Sequence, residues 1–286
     1  MHDKILYSAL EISELVRDGD TVLIDIRDES RYLDGHLPGA INEPEMFYYL
    51  SENYEEGFNE LRRVFTEIFS RAGLSADKTA IIYEDDLDSR FGSSFRGYEI
   101  LHYMGHEKAG VLDGGYSAWV KASLPVETLE SKGTRVEFQA SPQDDVFVTK
   151  EDVLAAINDP SIVILDNRDS VEWRGESSSP YGVDYAPRKG RIPGAIWIEW
   201  YEFLDRSLDI PAFKSAKDIT AICAQNNISP DSDIIIYCFK GSRAANTYIA
   251  LKKSGFKKLR IYFGSWNEWS REFSLPIDDE IIDNTP

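Results

Sequence analysis

Cys238 is followed within five residues by Lys240, Gly241 and Arg243. One sulfur, two fixed cations and a glycine at this spacing describe a sulfur nucleophile activated by nearby positive charge. Ile234-Ile235-Ile236-Tyr237, three β-branched residues and a tyrosine, precede it and read as a buried parallel strand. Ala244 to Gly255 reads as a helix, with Ala245, Ile249 and Leu251 apolar, Lys252 and Lys253 suiting the dipole, and Gly255 as the stop. A cysteine at the end of that strand sits below a helix N-terminus, where unpaired N–H groups favour an anion. A thiolate is such an anion, so the thiol is expected to ionise well below about 8.5, in the range of roughly 3.5–7.5 found at helix N-termini. The competing account makes Cys238 a small buried hydrophobe. A core cysteine needs neither Gly241, which permits close backbone approach, nor two adjacent cations.

The stretch Cys238-Phe239-Lys240-Gly241-Ser242-Arg243-Ala244 resembles the active-site loop of the rhodanese (thiosulfate sulfurtransferase) family. In that family a cysteine opens a six-residue loop between a strand and a helix. The resemblance implies that Cys238 takes up a sulfane sulfur as a persulfide and passes it to a thiophilic acceptor.

The bulk of the chain is consistent with an enzyme of this kind. Its 286 residues are enough for about two domains. Hydrophobic residues at 42% and charged residues at 28% describe an ordinary globular protein with sizeable cores. A net charge of −19 argues against nucleic-acid and anionic-membrane partners, and makes the basic pair at 240 and 243 locally exceptional. Only two cysteines occur, Cys223 and Cys238, so no disulfide framework is implied and a reducing cytoplasm fits. The N-terminal stretch is acidic without an apolar run, so neither a signal nor a transit peptide is expected. No apolar run reaches the roughly 18 residues of a membrane span.

Five landmarks occur twice, in the same order. Thr21-Val22-Leu23-Ile24-Asp25-Ile26-Arg27 recurs as Ile162-Val163-Ile164-Leu165-Asp166-Asn167-Arg168, both ending in Asp-x-Arg. Gly35-His36-Leu37-Pro38-Gly39-Ala40-Ile41 recurs as Gly190-Arg191-Ile192-Pro193-Gly194-Ala195-Ile196, and Ala80-Ile81-Ile82-Tyr83 as Ile234-Ile235-Ile236-Tyr237. The segment Val111 to Trp119 matches Ile261 to Trp269, and Leu124-Pro125 matches Leu275-Pro276. Between landmarks, strand patterns alternate with helix patterns over 11–18, 54–72 and 95–104, then 150–158, 217–226 and 244–254. The fold class is therefore α/β, each copy a mainly parallel sheet flanked by helices, and the resemblance implies two tandem rhodanese-like domains. The expected boundaries are 1–128 for a non-catalytic copy, 129–145 for a polar linker and 146–286 for the catalytic copy.

The copies differ in chemistry. Aligning Tyr83 with Tyr237 puts Glu84 at the place of Cys238, and a carboxylate cannot carry sulfane sulfur. Asp85, Asp86 and Asp88 would also repel an anionic donor. The first copy is expected to pack against the second and wall its cleft, with the acidic stretch read as solvated surface and Arg90 and Arg96 as ion-pair partners. Asp166 and Arg168 recur where the cysteine does not, so their role is structural, a buried pair tying strand end to loops. The resemblance implies a donor-binding arginine shortly after Asp-x-Arg. Arg174 is the nearest residue, and a surface salt bridge is equally open to it. Residues 176–189, absent from copy one, are expected to line the cleft mouth, with Arg188, Lys189 and Arg191 as solvated charge. Trp266 or Trp269 is placed to shield the persulfide, and Cys223, at helical apolar spacing, is a core residue. Two cysteines make no zinc site, and no phosphate-loop pattern occurs, so neither metal nor cofactor is expected.

Three other functions fit parts of this pattern. A cysteine phosphatase or arsenate reductase uses a similar cradle, but with five residues between cysteine and arginine where this chain has four. A regulatory module with two inactive copies would not need the intact loop. Within the resemblance, the mercaptopyruvate branch carries small uncharged residues after the cysteine and the thiosulfate branch carries cations. Lys240 and Arg243 therefore point to thiosulfate, with 3-mercaptopyruvate as the alternative donor. The backbone of Phe239, Gly241 and Ser242 would hold the persulfide, and cyanide or a thiol, including that of a thioredoxin-like protein, would remove its sulfur.

Overall fold

β-Branched runs form the central strands of both sheets in the computed structural model, which describes residues 4–50, 57–143 and 145–282. In the first half β1 (Leu6–Tyr7), β2 (Thr21–Asp25), β3 (Ile41–Asn42), β4 (Thr79–Tyr83) and β5 (Ala109–Leu112) form a parallel sheet of order β1-β5-β4-β2-β3. In the second half β6 (Phe147–Val148), β7 (Ile162–Asp166), β8 (Ile196–Trp197), β9 (Asp233–Tyr237) and β10 (Lys258–Tyr262) repeat it as β6-β10-β9-β7-β8. Ile234, Ile235, Ile236 and Tyr237 are all fully buried. Successive side chains point to opposite faces, so layers on both sides cover the strand. Parallel neighbours need crossover connections, and these bring the polar segments after β7 and β9 to one sheet edge.

The helices follow the expected spans with shifted ends. The expected 11–18 is Ala9–Leu15 followed by a 3-10 turn, and 95–104 is Ser93–Tyr103. The expected 54–72 is Phe58–Arg71, with Tyr54, Glu55 and Glu56 outside the described residues. In the second half the helices are Lys150–Ala156, Ala216–Gln225 and Ser242–Lys253. The last correction matters most, because Ser242 and Arg243 belong to the helix and the true loop is shorter. No helix among the described residues is long and apolar enough to cross a membrane.

Contacts divide the chain into one unit of residues 1–143 with Arg206–Ala212 and a second of residues 144–205 and 213–286. Residues 129–143, expected as free linker, are a strap on the first unit. The Val136 N–H donates to the Ser70 carbonyl and that of Gln143 to the Tyr103 carbonyl, and Phe138 packs on Phe69 at 5.1 Å. The expected linker also included Asp144, which lies outside the described residues.

Each unit holds the same buried ion pair. Arg27 Nη2 donates to Asp25 at 2.7 Å and to the Gly35 carbonyl at 2.7 Å; Arg168 Nη2 donates to Asp166 at 2.6 Å and to the Gly190 carbonyl at 2.8 Å. In each, the strand tyrosine hydroxyl accepts from the loop backbone, Tyr83 from Leu37 N–H and Tyr237 from Ile192 N–H, both at 3.2 Å.

The acidic stretch of the first unit is not solvated surface. Asp85 pairs with Arg31 at 2.8 Å and Asp88 with Arg206 at 2.8 Å, while Leu87 is buried. Arg90 pairs with Asp28 at 2.5 Å, and Arg96 donates to the carbonyls of Met46 and Tyr49. Glu84 is 1% exposed, and its carboxylate accepts the N–H and hydroxyl of Ser94 at 2.9 and 2.5 Å and the N–H of Arg90 at 3.2 Å. The first loop therefore closes on its own carboxyl group. Burial outweighs these bonds and pushes the Glu84 carboxyl up to about 7 from 4.5.

A carboxyl raised on folding binds a proton that the unfolded chain gives up, so its stabilising contribution is present at low pH and lost as pH rises through about 7. The stability margin of the protein over Glu84→Gln should therefore fall by on the order of 3 kcal/mol between about pH 4.5 and pH 8. Urea midpoints across that interval test this, and a flat or rising margin refutes it.

Candidate active site

Tyr237 ends β9, and the chain turns at Cys238. Gly241 makes the turn possible: it sits at φ +92°, where L-residues are strained, and caps the helix Ser242–Lys253. With that conformation the Gly241 N–H points back at Cys238 and donates to Sγ at 3.1 Å. The Cys238 N–H donates to Ser265 Oγ at 3.2 Å, and its carbonyl accepts the Trp266 N–H at 3.0 Å. Cys238 is 1% exposed, yet its surroundings are polar: Lys240, Ser242 and Arg243 are buried with it. The sulfur thus lies at a strand end, beneath a twelve-residue helix, with an amide directed at it.

The two cations of the loop have different partners. Arg243, expected to face a donor, turns inward, with Nη1 2.5 Å from Glu172 and 2.8 Å from Asp169 and Nη2 3.1 Å from Glu172. Burial opposes its charge, but Glu172, with Cys238 and Asp169, outweighs burial and holds its pKa well above the usual value. Lys240 is 5% exposed, with its ammonium 5.2 Å above the centre of the Tyr181 ring.

Arg174 is not brought to the loop. It pairs with Glu176 at 3.0 Å and lines a cavity of about 570 Å³ with Trp197, Glu199 and Asn226, whose walls include none of residues 238–243. Its short helix Ser170–Trp173 begins in a capping box of Asp169 and Glu172, the two carboxylates that hold Arg243. One turn thereby ends the strand segment and anchors the loop helix.

Asp166 and Arg168 form the frame behind the cysteine. The Tyr237 hydroxyl donates to Asp166 at 2.5 Å, and the Arg168 guanidinium lies 4.5 Å from the Trp266 ring. Trp266 is fully buried and donates through Nε1 to the Arg188 carbonyl at 3.1 Å. Arg188 and Arg191 are not solvated charge, whereas Lys189 is exposed as expected. Arg188 donates to the carbonyls of Trp269, Ser270, Glu272 and Leu275, Lys189 to that of Glu176, and Arg191 pairs with Asp278 at 2.8 Å. Cys223 is fully buried, and burial pushes its thiol up to about 12, which suits packing and not chemistry.

Sequence reasoning missed Glu172, Asn167, Ser265 and Tyr181. The capping box was a readable signal for Glu172. Asn167 holds the Arg243 carbonyl through Nδ2 at 2.8 Å, a contact that no spacing announces. Ser265 stands at φ +53°, where the first unit has Gly115 at φ +59°, and its strained backbone places the hydroxyl on the Cys238 N–H.

Comparison with known proteins agrees with this geometry. The family described as Rhodanese-like domain matches residues 8–122 and again 149–272. The chain is 26% identical to the thiosulfate sulfurtransferase of Azotobacter vinelandii over 261 residues, 91% of each chain. It is 28% identical to the 3-mercaptopyruvate sulfurtransferase of Escherichia coli K12, covering 93% of this chain and 95% of that one. It is 27% identical to the sulfur carrier protein TtuD of Thermus thermophilus, covering 96% and 97%. A solved structure of wild-type EanB shares the fold with a TM-score of 0.81 at 22% identity, covering 97% of this chain and 69% of that one.

Glu172→Ala would take from the buried Arg243 guanidinium the carboxylate that meets both of its Nη atoms, and should cost roughly 3–5 kcal/mol by urea unfolding. Replacing both partners by apolar residues, Glu172→Leu with Arg243→Met, should recover most of that loss. A double variant as unstable as the single one would show that the pair is not what holds the loop helix.

Proposed function

This chain belongs to the rhodanese family, and we propose that it is a sulfurtransferase working through a persulfide on Cys238. The observation that carries the reading is the Gly241 N–H, 3.1 Å from Cys238 Sγ at the start of a buried helix. An amide donor and a helix N-terminus stabilise a thiolate, and afterwards the terminal sulfur of a persulfide anion. The relatives named above act on thiosulfate or 3-mercaptopyruvate by their names.

With thiosulfate as donor, the Cys238 thiolate attacks the outer sulfur. A new S–S bond forms, the bond within thiosulfate breaks, and sulfite leaves with its electron pair. Cyanide or a thiolate acceptor then attacks the terminal sulfur, taking it as thiocyanate or as an acceptor persulfide and returning the Cys238 thiolate. Lys240 offsets the charge of the donor and of departing sulfite. Arg243 acts as a positioning residue that fixes the loop through Glu172 and Asp169. Asp166, Arg168 and Trp266 support the strand end, and the first domain, with Glu84 at the equivalent position, is a non-catalytic copy.

One observation favours 3-mercaptopyruvate as the donor. The two carboxylates on Arg243 leave that cluster without net positive charge, which lessens the advantage of a dianion over a monoanion.

Intact-mass spectrometry after treatment with each donor tests the reading. A gain of about one sulfur mass (~32 Da) is expected on the protein and absent in Cys238→Ala, as a persulfide intermediate requires. Initial rates should follow a ping-pong pattern. Mass gain persisting without Cys238, or sequential kinetics, would overturn the mechanism. If Lys240 selects the dianion, Lys240→Ala should weaken thiosulfate use more than mercaptopyruvate use.

A further inference from the structure

Asn167 stands just past the end of β7, between Asp166 and Arg168, and its backbone is fixed on both sides. Its N–H donates to the Tyr237 carbonyl at 3.2 Å, and its carbonyl accepts the Trp200 N–H at 3.3 Å. Its side chain is fully buried and reaches the loop helix Ser242–Lys253, where Nδ2 donates to the Arg243 carbonyl at 2.8 Å and to Thr247 Oγ1 at 2.5 Å. Arg243 and Thr247 lie one turn apart on one face of that helix, so the two bonds fix both its axial position and its rotation. The Arg243 carbonyl can only accept, which assigns the amide nitrogen to it. Asn167 Oδ1 then has no hydrogen-bond partner among the described residues. A buried acceptor left unpaired costs stability. The first copy avoids that cost: Ile26, fully buried, stands at the same place, and its N–H makes the equivalent bond to the Tyr83 carbonyl at 3.1 Å. An apolar side chain therefore satisfies the frame, and stability does not account for the amide in the copy that carries the cysteine.

We infer that Asn167 is a positioning residue for the persulfide chemistry, whose amide ties the first turn of the loop helix to the end of β7 and so keeps the Gly241 N–H on Cys238 Sγ. The cysteine hangs from the end of β9 and Gly241 from the start of the helix, so the 3.1 Å bond between them depends on how far apart strand and helix stand. Apolar contacts are non-directional and set that separation loosely, whereas two hydrogen bonds from a fixed post set it sharply. Glu172 and Asp169 hold the side chain of Arg243, and Asn167 holds its main chain. The inference rests on the sulfurtransferase reading for the reaction it serves.

The test follows iodoacetamide labelling of Cys238 against pH, read by mass on the peptide that contains it, together with kcat/KM for thiosulfate and for 3-mercaptopyruvate. Loss of a donor to the ionised sulfur disfavours that form. In Asn167→Ile the labelling midpoint should therefore move up by roughly 0.5–1 pH unit. Below the midpoint, labelling and kcat/KM for both donors should fall about three- to ten-fold, and labelling should regain the wild-type rate at high pH. A shortage of folded protein changes amplitudes and does not shift the midpoint. Thr247→Val, which removes one of the two bonds, should shift the midpoint less, and Thr247→Ser, which keeps the hydroxyl, should retain it. In the Asn167→Ile background Thr247→Val should add nothing. An Asn167→Ile midpoint equal to that of wild type, or a Thr247→Val shift that persists in full without Asn167, overturns the inference. Labelling needs no sulfur donor, so wild-type protein that gains no sulfur mass from either donor overturns the sulfurtransferase reading, while the midpoints still decide whether Asn167 sets the loop.

Discussion

The buried Asp166–Arg168 pair is the constraint on which the second domain's site depends. Two charges taken out of water are tolerated only when each finds several partners, and here one guanidinium serves a carboxylate, the Gly190 carbonyl and the face of Trp266. The same carboxylate accepts the hydroxyl of Tyr237, the last residue before the cysteine. Strand β7, the 190 turn, the helix Ser265–Arg271 and strand β9 thus meet at a single ionic centre. Tyr237, which precedes the cysteine, and Trp266, whose N–H donates to the Cys238 carbonyl, are both tied to that centre.

The first domain shows that this frame is independent of the chemistry above it. Asp25, Arg27 and the Gly35 carbonyl reproduce the pair, and Tyr83 reproduces the tyrosine. Above the frame, a carboxylate replaces the thiol and takes the N–H donors for itself. Both loops are built to hold an anion beneath a helix N-terminus. One fills its cradle with the Glu84 carboxyl, and the other presents the sulfur of Cys238.

Charge counting along the sequence did not foresee that two carboxylates meet Arg243. Lys240 and Arg243 are neighbours in the chain, but the strand-helix turn sends them to different partners. Gly241 at φ +92° starts the helix at Ser242, which rotates Arg243 toward the segment after β7. There Asp169 and Glu172 meet it, and Asn167 takes its carbonyl. Lys240 precedes the turn and projects to the aromatic side, under Tyr181. Lys240 lies before the Gly241 turn and Arg243 inside the helix, so proximity in sequence carries little information about a shared ligand.

The sequence by itself determined the duplication, the parallel α/β architecture, the strand before Cys238 and the buried role of Asp-x-Arg. Each of these rests on local patterns that a single segment carries: apolar runs, a repeated dipeptide spacing, a glycine before a helix. Tertiary structure alone decided the partners. Arg174 went to Glu176, Arg243 to Glu172, Arg188 to four backbone carbonyls and residues 129–143 to the face of the first unit. The physical reason is that burying a charge or an amide obliges it to find a complement wherever the fold supplies one. That complement is set by which strands become neighbours, and a one-dimensional pattern does not contain that information.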